Sequence, residues 1–227
     1  ILLLSGVIGI ALGDSLYIAA LKRIGTRKTL TIEAMSPVIA NILGSVFIEE
    51  SISYRLWIGT FIVIISLIII IRQRNPEDKN KVIGIKKHKE GVLIAFLSVI
   101  CAVFAAILSR LVLTNSTLSP FETTEIRLLG SLLALAPIIR IKPESLIKNI
   151  PTQIKLKFIF GSLLGTNIGI LLQQTVFKVL PIGIGWTLLS TSPLISLFFA
   201  KSEGDKINHI TILMTVTTLI GIGIIFT

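Results

Sequence analysis

Long apolar runs separated by polar turns fill most of this chain. Eight runs lie at about 1–21, 27–48, 54–71, 92–113, 118–139, 157–178, 181–200 and 208–227. Each is close to the roughly 20 residues that a helix needs to cross about 30 Å of hydrocarbon. None alternates with the period of a strand, and a bilayer offers the backbone no water, so the runs are predicted to be helices. The pattern therefore predicts an all-α membrane protein with eight transmembrane helices.

The first part of the chain resembles a later part of it. The segment from about Ser5 to Ile65 aligns without a gap with the residues 156 positions further on. The match rests on identical glycines, a lysine and a Ser-Pro pair. Gly9 aligns with Gly165, Gly13 with Gly169, Lys22 with Lys178 and Ser36-Pro37 with Ser192-Pro193. We interpret the match as an internal repeat.

The two copies of the repeat differ in length. Runs 92–113 and 118–139 precede the second copy and have no counterpart ahead of the first. We therefore expect a ten-helix protein that here lacks its first two helices. The predicted division is a truncated first repeat of three helices at 1–71, a basic linker at 72–90 and a second repeat of five helices at 91–227. Two halves of five helices each lie in the membrane with opposite orientation, the inverted-repeat (5+5) layout of many secondary transporters.

Composition and charge agree with a membrane protein. Hydrophobic residues make up 52% of the chain and charged residues only 15%, too few for the exterior of a soluble domain. The net charge is +10, and 18 of the 22 lysines and arginines fall on one side when the turns are assigned alternately to two sides. This bias places the linker in the cytoplasm and both chain ends outside, as expected of a multi-pass protein of the cell membrane. The cations then favour membrane lipids as partners and argue against nucleic acid.

The sequence shows no motif of an enzyme or a metal site. Cys101 is the single cysteine, and the two histidines, His88 and His209, lie in turns far from it along the chain. Paired catalytic carboxylates, a nucleophile elbow and a phosphate-binding glycine loop are all missing from the sequence. We therefore expect no enzyme activity, no cofactor and no metal.

Short motifs along the whole chain resemble a known family. They are Gly13-Asp14-Ser15-Leu16-Tyr17, Ser36-Pro37 followed by Glu49-Glu50, Ser119-Pro120 with Arg127-Leu128-Leu129, and Ser192-Pro193 with Glu203. In order and spacing they resemble the EamA-like transporter family of the drug/metabolite transporter superfamily. The resemblance implies a ten-helix carrier of amino acids, related metabolites or drug-like cations. It also implies a structural or gating role for Arg127, which matches the family's arginine.

Four polar residues of the first half are candidates for a solute site. Asp14 lies inside the first run, where a carboxylate is costly unless it is paired or faces a wet cavity, and Tyr17 is one helical turn further on. Glu33, Pro37 and Asn41 follow one helix face at intervals of four residues, and Pro37 leaves the carbonyl group of Glu33 without its helical donor. The structural alternatives are an ion pair of Asp14 with Lys22 or with a residue of the two missing helices, and an ion pair of Glu33 with Arg27 or Lys28.

The second half supplies further candidates. Asn167 and Gln174 are seven residues apart and so share a helix face, with Gln173 beside them. Trp186 and Ser190 are one turn apart, with Gly183 and Gly185 leaving room beside the indole ring. The structural alternatives are hydrogen bonds between helices for the amides and an interfacial anchor for Trp186. With Pro37 and Arg127, Pro193 is assigned a structural or gating role.

The sequence thus predicts a secondary transporter that moves a small organic metabolite by alternating access between the two repeats. The alternative is an integral membrane scaffold or lipid-binding protein that transports nothing. Convergence of Asp14, Glu33, Asn41, Asn167 and Gln174 on one site would favour the carrier. The expected partners are a small-molecule solute and membrane lipids, and a homodimer is left open. A carboxylate in a low-dielectric cavity is disfavoured in its charged form, so Glu33, or else Asp14, is the candidate proton site.

Overall fold

The structure is a computed structural model that describes residues 1–51, 53–73, 85–137, 151–191 and 209–226. Regular secondary structure in these ranges is helical. The α-helices are α1 (Leu2–Gly6), α2 (Ser15–Glu33), α3 (Ser36–Phe47), α4 (Tyr54–Gln73), α5 (Ile85–Asn115), α6 (Pro120–Leu135), α7 (Thr152–Ser162), α8 (Gly169–Val179), α9 (Ile182–Leu189) and α10 (His209–Phe226). Two π-helical segments, π1 (Val7–Asp14) and π2 (Leu163–Ile168), join α1 to α2 and α7 to α8.

The two π-helical segments occupy equivalent positions in the two copies of the sequence repeat. One begins at Val7 and the other at Leu163, and 163 − 7 is the offset of 156 residues. Each widens a helix that is α-helical on both sides, and such segments occur often at functional sites. The repeat read from the sequence is therefore also a repeat of local secondary structure.

A glycine and a proline set the turns of the first three helical stretches. Gly25 interrupts α2 with φ 80° and ψ 163°, a conformation that residues with a Cβ rarely adopt. The chain breaks again at Ala34 and Met35, just before Pro37 in the first turn of α3. The carbonyl group of Glu33 accepts a hydrogen bond of 2.6 Å from Ser36 Oγ, which replaces the donor lost at the proline. The predicted interruption by proline is thus present and compensated.

The helices pack as two groups in the described ranges. Helix α5 lies at the centre and contacts α2, π1, α3 and α8. One apolar cluster joins α3, α5, α8 and α9 through residues that include Ala40, Val103, Phe177 and Ile182. Helix α4 packs chiefly against α10. A Cβ atom added at Gly59 would lie 2.5 Å from the carbonyl oxygen of Gly221, so the two glycines allow these helices to approach closely.

Four helical stretches of the described chain are long and apolar enough to cross a membrane: Leu2–Thr26, Lys28–Phe47, Lys89–Asn115 and Thr152–Val179. The segments Tyr54–Ile70 and Ile212–Phe226 are apolar but shorter. The count of eight spans and the inverted arrangement of the repeats stay predictions. Large apolar side chains are exposed along most of these helices, as expected of surfaces that face lipid. Helix α7 and π2 stand out because none of their residues is buried.

Candidate functional site

A polar cavity of about 240 Å³ lies between helices of both halves of the chain. Its wall is formed by π1, the two ends of α2, α5, α6, α8 and α9. Among the polar and aromatic side chains that line it are Asp14, Tyr17, Glu33, Ser98, Arg127, Gln173 and Trp186. Five of the nine predicted binding residues therefore meet at one cavity, together with Arg127.

Two carboxylates lie in the wall contributed by the first half. Glu33 is half-buried, and its Oε1 atom lies 3.1 Å from Ser98 Oγ. The Ser98 proton is shared, because the same hydroxyl is 2.9 Å from the carbonyl oxygen of Ala95. Asp14 is accessible from the cavity and interacts electrostatically with Glu33 and with Arg127. The structure thus gives Asp14 an electrostatic interaction with an arginine of another helix, whereas the alternative from the sequence was a pair with Lys22.

Arg127 carries the positive charge of the cavity. Its side chain is buried, with only 4% of its surface exposed, where α6 crosses α1 and π1. Glycines bring these helices together: a Cβ atom at Gly6 would overlap the carbonyl oxygen of Arg127, and one at Gly130 would overlap that of Leu3. Gly9 leaves room for the guanidinium, since a Cβ atom there would lie 3.3 Å from Arg127 Nη2. The glycines of α1 and π1 therefore also shape the cavity.

Aromatic rings complete the wall. Tyr17 lies in the first turn of α2, one turn beyond Asp14 at the end of π1. Both side chains line the cavity from the same face of this continuous helix, as predicted. Trp186 packs against Phe177 with ring centroids 6.0 Å apart and faces the cavity beside Gln173. Of the two interpretations of Trp186, the structure gives it the position in the cavity wall.

Asn41 lies outside this cavity, in a contact between helices. It is buried, and its Nδ2 atom is 3.5 Å from Thr60 Oγ1, which in turn is 3.3 Å from Thr187 Oγ1. A Cβ atom at Gly183 would overlap the Asn41 amide, so α9 is fitted closely against it. Asn41 therefore connects α3 with α4 and α9, the plain role of an amide among membrane helices.

Three other predicted binding residues also lie away from the cavity wall. Gln174 is fully buried and its Oε1 atom accepts a hydrogen bond from Ser109. Ser190 Oγ donates to the carbonyl oxygen of Trp186 at 2.8 Å in its own helix. Asn167 lies in π2 and is partly exposed. Of the five polar residues whose convergence was expected, only Asp14 and Glu33 come together at the cavity.

The gating candidates have different outcomes. Pro37 is buried at the start of α3 and does not line the cavity. Arg127 is part of the cavity wall. Pro193 lies outside the described residues. Sequence reasoning missed Ser98, whose signal was a hydroxyl inside the apolar run 92–113.

Sequence reasoning also missed a polar junction between the two halves of the chain. The carboxylate of Glu50, after α3, forms an ion pair with Arg110 near the end of α5. Its second oxygen accepts a hydrogen bond of 2.8 Å from the backbone N–H of Ile182 at the start of α9. Arg110 Nη1 in turn donates to the carbonyl oxygen of Phe177 in α8. Arg110 and Arg127 are both buried within the helices.

These features define a helical, multi-pass integral membrane protein with an ionisable cavity inside its helix assembly. The sequence matches the EamA-like transporter family over residues 1–72 and 89–227, so the chain belongs to that family. This membership places it among the membrane transporters of the drug/metabolite superfamily, whose members are transporters rather than enzymes.

The fold has a solved counterpart. A crystal structure, described only as that of a protein, superposes with a TM-score of 0.75 over 98% of this chain and 74% of its own length. The two sequences are 12% identical, so the likeness concerns the fold alone. No curated protein matches this sequence.

Proposed function

We propose that this protein is a secondary transporter that moves a small organic metabolite across the membrane by alternating access between two inverted repeats. The observation that carries the proposal is the cavity of about 240 Å³, whose ionisable lining comes from both halves of the chain. Ionisable side chains among membrane helices are costly and usually mark the path of a solute or a proton. Transporters built from inverted repeats bind their solutes where the repeats meet.

The size of the cavity favours a small solute. Pockets for drug-sized ligands occupy roughly 300–1,000 Å³. A cavity of about 240 Å³ fits a metabolite with few heavy atoms better than a drug-like cation. Its wall offers carboxylates, a guanidinium, an amide and two aromatic rings, so a polar metabolite with a short apolar part matches the lining best.

Alternating access requires one end of the cavity to be closed while the other is open. The Glu50–Arg110 junction and the apolar cluster around Phe177 and Ile182 tie α3, α5, α8 and α9 together on one side of the cavity. In the proposed cycle this junction separates when that side opens. Loop charge places the junction on the outer side of the membrane.

A scaffold or lipid-binding protein is the competing function. Asn41 and Gln174 support it, because both are used to connect helices. A scaffold has no need, however, for Asp14, Glu33 and Arg127 to share one cavity. We therefore favour the carrier.

Reconstitution tests the proposal directly. The full-length protein in liposomes is expected to take up one or more radiolabelled small metabolites, with saturation and with counterflow when the same solute is loaded inside. Protein-free liposomes and liposomes with heat-unfolded protein are the controls. Flux equal to that of the controls across a broad metabolite panel would favour the scaffold.

A further inference from the structure

The guanidinium of Arg127 has donors that nothing in the described part of the chain satisfies. Its Nε and Nη1 atoms are buried and lack a hydrogen-bond acceptor there. The side chain is 4% exposed and lines the cavity. A buried charged donor without an acceptor is strongly unfavourable, and because Arg127 also lines the cavity, an acceptor that enters there could reduce this cost.

A second donor in the same wall points to the same kind of partner. The indole Nε1 of Trp186 is also buried and without an acceptor among the described residues. Gly9, which also lines the cavity, leaves room beside this guanidinium, because a Cβ atom there would lie 3.3 Å from Arg127 Nη2. Two residues that line the cavity, Arg127 and Trp186, therefore carry donors that lack an acceptor among the described residues.

We infer that Arg127 binds the carboxylate of the transported solute and selects such solutes over their neutral amides. A guanidinium offers parallel N–H groups that match the two oxygens of a carboxylate, and such bonds are stronger than neutral ones. This inference rests on the proposed transport function and assigns one residue and one ligand group within its site.

Asp14 and Glu33 restrict which anions fit. Asp14 interacts electrostatically with Arg127 and with Glu33, so it competes for the guanidinium in the empty cavity. A solute with a second carboxylate would bring another negative charge close to both acids. We therefore expect single carboxylates to be preferred over dicarboxylates, and an accompanying cationic group on the solute to be tolerated.

Binding of matched probes to the purified protein of this sequence tests the inference. Valine and 3-methylbutanoate both carry a carboxylate and differ in the amine, and 3-methylbutanamide replaces the carboxylate of 3-methylbutanoate by a neutral amide. Titration calorimetry measures their affinities. Quenching of Trp186 in a Trp57→Phe background locates binding at the cavity, since Trp57 and Trp186 are the two tryptophans of the chain and Trp57 stacks on Phe61 in α4, away from the cavity lining.

Arg127→Gln is expected to weaken 3-methylbutanoate binding by about tenfold or more and to leave 3-methylbutanamide binding unchanged. Arg127→Lys keeps the charge but not the forked geometry, so we expect it to recover part of the loss. Arg23→Gln is the matched control: Arg23 is exposed and bonds to the Ala19 carbonyl of its own helix at 3.1 Å, so its loss should change neither affinity.

Asp14→Asn gives a change of opposite sign that a folding defect cannot imitate. Removal of the competing charge should tighten 3-methylbutanoate binding by several-fold. This variant keeps the inference testable if Arg127→Gln fails to fold.

The inference is overturned if neither carboxylate probe binds the wild-type protein, if Arg127→Gln leaves 3-methylbutanoate binding intact, or if it weakens 3-methylbutanoate and 3-methylbutanamide alike. Failure of the transport proposal looks different. Arg127-dependent binding without flux in liposomes would preserve the anion site and remove the carrier. Carboxylate flux that survives Arg127→Gln would preserve the carrier and remove the assigned role.

Discussion

At the scale of single residues, Glu33 is the side chain best placed to couple transport to protons. It is half-buried in the cavity wall, holds a hydrogen bond from Ser98 and has Asp14 nearby as a second negative charge. We predict that Glu33→Gln abolishes proton-driven accumulation but largely preserves solute exchange, because glutamine keeps the polar contact and cannot release a proton. Uptake under an imposed pH gradient, compared with counterflow without one, measures the two activities.

The exposed Glu90 provides the control for Glu33. Glu90→Gln removes a carboxylate outside the cavity and is expected to leave both activities at wild-type levels. Proton-driven uptake that persists in Glu33→Gln would move the assignment to Asp14.

At the scale of elements, the close pair of α4 and α10 depends on glycine. Gly59→Ala places a methyl group 2.5 Å from the Gly221 carbonyl oxygen, so the helices must separate. We expect a loss of about 1–3 kcal/mol in the free energy of unfolding, the usual cost of overpacking. The thermal unfolding midpoint of the purified protein in detergent measures it.

Gly223→Ala in α10 is the matched control for this contact. No described atom lies within 4 Å of a Cβ atom at that position, and alanine favours the helix by up to about 1 kcal/mol. An unchanged or higher midpoint is therefore expected. Equal losses in the two variants would show that helix packing at Gly59 is not what alanine disturbs.

At the scale of the whole molecule, the Glu50–Arg110 junction joins the two halves. The side chain of Arg110 is 11% exposed and that of Glu50 is 14% exposed. Reversing the charge of either residue therefore leaves two like charges close together in a buried site. We predict that Glu50→Arg or Arg110→Glu alone nearly abolishes transport, because like charges repel at the junction and this side of the cavity can then no longer close. Uptake per amount of folded protein in liposomes measures the effect.

The double exchange Glu50→Arg with Arg110→Glu separates pairing from the individual side chains. It should restore part of the activity, because the ion pair can form again. Full restoration is not expected, since an arginine at position 50 cannot accept the Ile182 N–H and a glutamate at position 110 cannot donate to the Phe177 carbonyl. A double variant no more active than the single ones would show that pairing across the halves is not what transport requires.

The sequence by itself determined the class of protein and much of its local structure. Apolar length and the lack of water in a bilayer require helices, Gly25 and Pro37 set breaks, and the repeat at an offset of 156 residues recurs in the π-helical segments. It also singled out Asp14, Tyr17, Glu33, Gln173 and Trp186, because polar and aromatic groups inside apolar runs need a reason to be there.

The tertiary structure alone decided which of these groups meet. A helix face predicted from spacing can turn to a cavity or to a neighbouring helix. Only the packing shows that Glu33 lines the cavity whereas Asn41 contacts α9. It likewise shows that Gln173 lines the cavity whereas the adjacent Gln174 bonds to another helix. The Glu50–Arg110 pair spans 60 residues of sequence, and no local pattern connects such distant charges. Long-range contacts of this kind depend on how the helices pack against one another, and periodicity within a single helix carries no information about that.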